Sequence, residues 1–92
     1  MADFALGNIV ATHAVAAAKK DNDQFAYEVL KSLGRHADGD WGDLCNDDKA
    51  LNDEALAGAA RLFSAYETSK GRIWIITEWD RSVTTILFPD EY

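Results

Sequence analysis

The chain has 92 residues, of which 48% are hydrophobic and 11% aromatic, a composition typical of one globular domain and unlike that of a disordered segment. Its 16 acidic and 9 basic residues give a net charge of −7, and the lack of a clustered basic surface argues against direct binding to nucleic acid. The single cysteine, Cys45, excludes an internal disulfide and argues against a structural zinc site.

The first half of the chain is predicted to be largely helical. Residues 7–11 either form a short strand or run into the helix that follows. Thr12 is a suitable N-cap for that first helix. Asp21 is a suitable N-cap for a second helix over about residues 22–35, which Gly34 is expected to end. Apolar residues recur at helical spacing along one face of the second helix: Phe25, Val29 and Leu33.

A loop and a third helix are predicted next. Residues 38–43 are rich in Asp and Gly, which form turns. Asn46 or Asp47 then caps a third helix that runs through about Gly58, and its Leu51, Ala55 and Leu56 are expected to face inward.

The last third of the chain has the period of two that is typical of strands. Residues 61–67, 72–78 and 83–88 are rich in β-branched and aromatic side chains, with turns at 68–71 and 79–82. The expected fold is therefore a single α+β domain over residues 1–92. Two to three N-terminal helices pack on a C-terminal three-stranded antiparallel β-meander.

The middle strand of this meander is apolar on both faces. Ile73, Ile75 and Thr77 share one face, and Trp74 and Ile76 lie on the other. One face is expected to pack against the helices. The second face is expected to carry a partner, a terminus or a helix.

No pattern in the chain indicates an active site. Cys45 or a serine could pair with His13 or His36 as a nucleophile and its base, but no flanking motif supports such a pair. A calcium-binding loop that starts at Asp38 fails the EF-hand pattern at three positions. We therefore expect no catalytic residue, no metal and no cofactor.

The acidic residues are concentrated in one segment. Between Ala37 and Ala60 there are seven acidic residues and one lysine, a net charge of −6. The carboxylates either keep the protein soluble or imitate the phosphates of DNA for a basic partner. Trp41, like Trp79 further on, either anchors a partner or folds back as a hydrophobic cover. The candidate partner-binding residues are Asp38, Asp40, Trp41, Asp43, Asp47 and Asp48.

Several stretches of the chain resemble a known group of bacterial proteins. They read HA-x-GDWGDL at 36–44, RL-x-SAYE at 61–67, and GRIWIITE and DRSVTTILFPDEY from 71 to 92. This sequence is similar to small bacterial proteins labelled plasmid-related or hypothetical. The resemblance implies a home on mobile elements, where small acidic proteins often inhibit host defence, as anti-CRISPR and anti-restriction proteins do. It assigns no activity and no functional residue.

Two functions are compatible with these features. The leading hypothesis is a non-enzymatic inhibitor that binds a basic, nucleic-acid-binding defence complex through an acidic, DNA-mimicking surface. The alternative is a protein-interaction module or accessory regulator encoded on a mobile element, with an apolar strand face as its contact. That face would hold Trp74, Ile76 and Ile86, or the residues opposite them. Because no targeting or membrane-spanning segment is visible, we expect a cytoplasmic protein that does not contact membranes.

Overall fold

The computed structural model describes residues 4–58 and 60–92. These residues form an α+β fold of three α-helices and a four-stranded mixed sheet, with three of the strands at the C-terminal end. The elements in chain order are β1 (Asn8–Ala11), α1 (His13–Asp21), α2 (Asp23–Ala37), α3 (Asn46–Ala57), β2 (Leu62–Thr68), β3 (Gly71–Thr77), β4 (Val83–Leu87) and a 3-10 turn (Pro89–Glu91).

The sheet has the strand order β1-β4-β3-β2. β2 with β3 and β3 with β4 are antiparallel, as predicted, but β1 pairs in parallel with β4, with Ile9 opposite Thr84. The prediction of a three-stranded antiparallel meander is therefore wrong: the sheet has four strands and is mixed. The cause is the length of β1, because four residues are too few to show a strand period and the partner strand lies at the other end of the chain.

The helix boundaries differ from the predictions by a few residues. Thr12 caps α1, as expected, and its hydroxyl accepts a hydrogen bond from the backbone N–H of Val15. α2 is capped by Asn22 instead of Asp21, and it continues past Gly34 to Ala37. The two added residues matter because one of them, His36, is buried in the core.

The helices cover one face of the sheet, and the main core lies between them. Ile73 and Ile75 are buried there, as predicted for the middle strand. Ile86 lies on the same face because it pairs with Ile75, so grouping it with Trp74 on the opposite face was wrong. The buried members of this core are Val15, Phe25, Val29, Tyr66, Ile73, Ile75 and Ile86.

α3 packs through Ala55, as predicted, but Asn52 takes the inward place expected for Leu51. Leu51 is 62% exposed, whereas Ala55 and the neighbouring Asn52 are buried. The Asn52 side-chain amide donates to the carbonyl of Phe63, and its Oδ1 accepts from the backbone N–H of Phe63 at 3.1 Å. A buried amide that satisfies both backbone groups of a strand residue outweighs the gain from burying a leucine at this position.

The second face of the sheet is partly covered by the C-terminal turn. Phe63 and Trp74 meet edge to face with ring centroids 4.9 Å apart, and Trp74 meets Tyr92 in the same way at 5.6 Å. Arg61 donates to the Tyr92 hydroxyl at 2.7 Å. The second face was expected to carry a partner, a terminus or a helix, and the structure places the C-terminal segment there.

Candidate functional site

The first part of the acidic segment is the loop at residues 38–45 that joins α2 to α3, and this loop is attached to the edge of the sheet. Gly42 forms a parallel bridge with Ala65 on the outer side of β2. The backbone N–H of Asp43 donates to the carbonyl of Ala65 at 2.8 Å, and the N–H of Ala65 donates to the carbonyl of Trp41 at 3.3 Å. These bonds hold the loop in one conformation and also close this edge of the sheet.

Trp41 fixes the same segment from the inside. Its indole is only 3% exposed and packs with Ala55 and Leu62. The indole Nε1–H donates to Oδ1 of Asp53 at 3.0 Å, and the ring meets His36 edge to face at 5.7 Å. An anchor must reach a partner, and this ring is enclosed. We therefore assign Trp41 to the scaffold of the segment. Trp79, by contrast, is 60% exposed.

Asp40 also contributes to the scaffold. Its Oδ2 accepts from Nε of Arg35 at 2.8 Å, and its Oδ1 accepts from the backbone N–H of Gly42 at 3.2 Å. The hydrogen bond from Arg35 lowers the pKa of Asp40, so this carboxylate stays ionised. The Tyr66 hydroxyl donates to the Asp40 carbonyl at 2.6 Å. The charge of Asp40 is thus largely balanced within the protein.

The other four predicted aspartates have exposed side chains. Asp38 and Asp43 lie on the loop, and Asp47 and Asp48 form the first turn of α3, where the helix dipole stabilises negative charge. In the part of the chain that the structure describes, the two ion pairs involve none of them. We name Asp38, Asp43, Asp47 and Asp48 the acidic surface.

A second polar cluster lies in the core. His36 is fully buried, with Nδ1 beside the Ser64 hydroxyl and Nε2 2.9 Å from Oγ1 of Thr77. Thr77 Oγ1 lies 2.7 Å from Oγ1 of Thr84, which donates to the carbonyl of Leu6 at 2.7 Å. The chain of contacts ties α2 to three strands and to the N-terminal segment.

The direction of these hydrogen bonds follows from the last of them. A carbonyl oxygen can only accept, so the Thr84 hydroxyl donates its proton to the carbonyl of Leu6. The Thr77 hydroxyl must therefore donate to Oγ1 of Thr84. Thr77 then accepts from His36, which fixes the proton of the neutral imidazole on Nε2. Nδ1 accepts from Ser64. Every polar atom of the cluster is satisfied with a neutral histidine.

This cluster is built to stabilise the fold. A serine next to a histidine is the beginning of a nucleophile–base pair, but Ser64 and His36 are both fully buried. The second imidazole nitrogen contacts a threonine hydroxyl where a triad would have a carboxylate. Cys45 and His13, the other candidates, are exposed residues.

Because His36 is buried with hydroxyl partners only, we expect acid to destabilise the protein through this residue. Burial lowers the pKa of His36 from 6.5 to about 4. At a pH between these two pKa values, this histidine is protonated in the unfolded chain but neutral in the folded protein. The free energy of unfolding should therefore fall by up to about 3 kcal/mol as the pH drops from about 6.5 to about 4.

Urea unfolding at a series of pH values measures this effect. Carboxylates also titrate near the lower end, so His36→Gln provides the comparison, since glutamine can donate and accept but does not titrate in this range. The difference between the two proteins should change across the window and stay constant above it. A difference that is independent of pH would show that His36 is not held neutral.

An apolar recess lies on the second face of the sheet. It encloses about 220 Å³. Arg61 and Tyr92 line the rim of this recess, the apolar cleft, and both residues are exposed. The lining residues are Arg61, Phe63, Trp74, Ile76 and Tyr92.

Comparisons with known proteins return no significant match among family models, curated proteins or solved structures. No helix within residues 4–58 and 60–92 combines the length and the apolar character that crossing a membrane requires. In the same ranges, no three His, Cys, Asp or Glu side chains are grouped closely enough to hold a metal ion.

Proposed function

We propose that this protein binds a basic, nucleic-acid-binding protein of a host defence complex through its acidic surface and blocks the groove that would otherwise hold nucleic acid. The mechanism is competitive binding, without a chemical step. The resemblance to plasmid-related proteins supports this class of target. The observation that carries the proposal is that the most acidic segment of the chain is attached to the sheet edge by the Gly42–Ala65 bridge and to the core by the Trp41 indole.

Rigid placement of charge favours binding in two ways. A loop that is already ordered loses little conformational entropy when a partner binds. Carboxylates held at fixed positions also present a lasting negative potential that steers a basic surface and speeds association. The Gly42–Ala65 bridge, the Trp41 indole and the Asp40–Arg35 pair supply this rigidity.

We expect neutralisation of the acidic surface to weaken partner binding at least about tenfold, mainly by slowing association. The variant is Asp38→Asn, Asp43→Asn, Asp47→Asn and Asp48→Asn. The matched control is Asp21→Asn, Asp23→Asn, Glu67→Gln and Asp90→Asn. Both sets remove four negative charges from exposed residues, so both proteins have the same net charge. Asp40 is left intact because it holds the loop.

The experiment is affinity purification of each tagged protein from a bacterial host that expresses CRISPR effectors and restriction enzymes. Mass spectrometry identifies the captured complex, and biosensor kinetics with that purified complex give the rates. Wild type and control should bind alike, with association slowing as salt rises. Equal binding by the neutralised variant would contradict the proposal.

A second candidate function is that of an interaction module that uses the apolar cleft. The specific observation in its favour is the partly covered face around Phe63 and Trp74, which has aromatic walls and a single arginine at its side. Such a contact buries apolar surface, so it should be insensitive to salt. Capture that persists in the neutralised variant and at high salt would favour this candidate over the first.

A further inference from the structure

We propose that β1 is a self-association edge, where the strand pairs antiparallel with β1 of a second copy. The two sheets then join into one continuous sheet across a two-fold axis. This inference is independent of the proposed function, because it uses the opposite edge of the sheet.

The backbone of β1 is bonded on one side only. Asn8 N–H donates to the carbonyl of Ser82 and Thr12 N–H donates to that of Ile86, each at 3.0 Å, so even-numbered positions bond towards β4. The N–H and C=O groups of Ile9 and Ala11 consequently point away from the sheet. Within the described residues, β4 is the only strand that pairs with β1. The other edge, β2, is already closed by the acidic segment.

The residues of β1 include none of the charged or proline side chains that commonly protect a sheet edge. Sheet edges in soluble proteins are commonly protected by lysines, prolines, bulges or a covering segment. Residues 7–12 contain no charged residue and no proline, in a chain with a net charge of −7. Ile9 and Val10 are 50% and 44% exposed. An uncharged strand with exposed β-branched side chains is a good template for another strand.

The sequence of β1 fits itself in an antiparallel pair. If Val10 faces Val10 of the second copy on the axis, Ile9 lies opposite the second copy's Ala11, and Ala11 opposite its Ile9. The two outward-pointing residues of each copy then exchange four backbone hydrogen bonds. Each Ile9 then meets the smaller Ala11, the two Val10 side chains meet at the axis as a β-branched pair, and no like charges face each other. This match is the reason for choosing a second copy over a foreign strand.

The size and charge of the contact set its expected strength. A four-residue strand pair is smaller than the interfaces of stable dimers, so the dissociation constant should be micromolar or weaker. Two copies with a charge of −7 each also repel one another. Salt screens this repulsion and should strengthen the dimer. Salt is expected to weaken partner binding through the acidic surface. The opposite effects of salt therefore distinguish the two associations.

Sedimentation equilibrium from low micromolar to near-millimolar protein, at low and high salt, tests the inference. Val10→Lys places two like charges on the axis and should raise the dissociation constant at least about tenfold. Leu30→Lys is the matched control: it adds the same charge at an apolar residue of α2 that is 68% exposed, and it should leave dimerisation unchanged.

Hydrogen exchange on the wild-type protein locates the contact. The amides of Ile9 and Ala11 should gain protection as the concentration rises, while that of Val10, bonded to β4, should be protected throughout. A protein that stays monomeric in every condition would overturn the inference. So would a dimer that Val10→Lys does not weaken, or protection of these amides that appears only when a different protein is bound.

Discussion

Trp41→Ala should lower the free energy of unfolding by about 3–5 kcal/mol, the cost typical of removing a large buried aromatic side chain. The substitution opens a cavity between Ala55 and Leu62 and leaves the Asp53 carboxylate without the indole donor. It also removes the edge-to-face contact with His36. For a domain of this size, such a loss is a large part of the total stability.

Trp79→Ala is the matched control, since it is the same chemical change at an indole that is 60% exposed. We expect it to alter the free energy of unfolding by less than about 0.5 kcal/mol. Urea unfolding followed by far-UV circular dichroism compares the two without depending on tryptophan fluorescence. Equal effects of the two substitutions would contradict the assignment of Trp41 to the scaffold.

Gly42→Ala should destabilise the protein by several kcal/mol, because Gly42 is the residue that joins the acidic segment to the sheet edge. Gly42 has a φ of 76°, a conformation that costs a residue with a Cβ about 1–2 kcal/mol. A Cβ at this position would also overlap the carbonyl oxygen of Ala65 and press on the Tyr66 ring. The bridge to β2 would have to open to relieve both contacts.

Gly34→Ala should instead raise the free energy of unfolding. Gly34 lies inside α2, where a Cβ would meet no heavy atom within 4 Å apart from the neighbouring backbone of its own helix. Alanine in a helix interior is favoured over glycine by about 0.5–1 kcal/mol. Urea midpoints should therefore fall for Gly42→Ala and rise for Gly34→Ala. A Gly42→Ala protein as stable as wild type would show that the bridge is not rigid.

The sequence was sufficient to predict the parts of the fold that depend on local pattern. The alternation of Ile73, Ile75 and Thr77 identified the inward face of β3, and Thr12 was recognised as a cap because its hydroxyl bonds within the next turn. In each case the signal and the structure lie within a few residues of each other.

Features that depend on distant residues were missed. The parallel pairing of β1 with β4 leaves no trace in a four-residue pattern. Hydrophobicity alone predicts Leu51 on the inward face, because the backbone groups of Phe63 that Asn52 satisfies lie eleven residues away and leave no local pattern. A signal for the His36 cluster was present in the polar residues at inward strand positions, Ser64, Thr77 and Thr84, since buried hydroxyls require partners.

The candidate site was predicted less completely than the fold. The position of the acidic segment in a loop and the start of α3 follows from its Asp, Asn and Gly content. The division of its residues into scaffold and surface does not. Asp40 and Trp41 belong to the scaffold because of contacts that the fold brings about. Arg35 pairs with Asp40, Asp53 accepts from Trp41, and the β2 edge bonds to the loop that holds both residues.

The measurement that most directly tests the proposed function is displacement of labelled double-stranded DNA from the captured defence complex. Wild-type protein should release the DNA at concentrations that match its own binding. The variant with the neutralised acidic surface should need at least about ten times more, while the charge-matched control behaves as wild type. DNA that stays bound when the complex is saturated with wild-type protein would contradict competitive binding at the nucleic-acid groove.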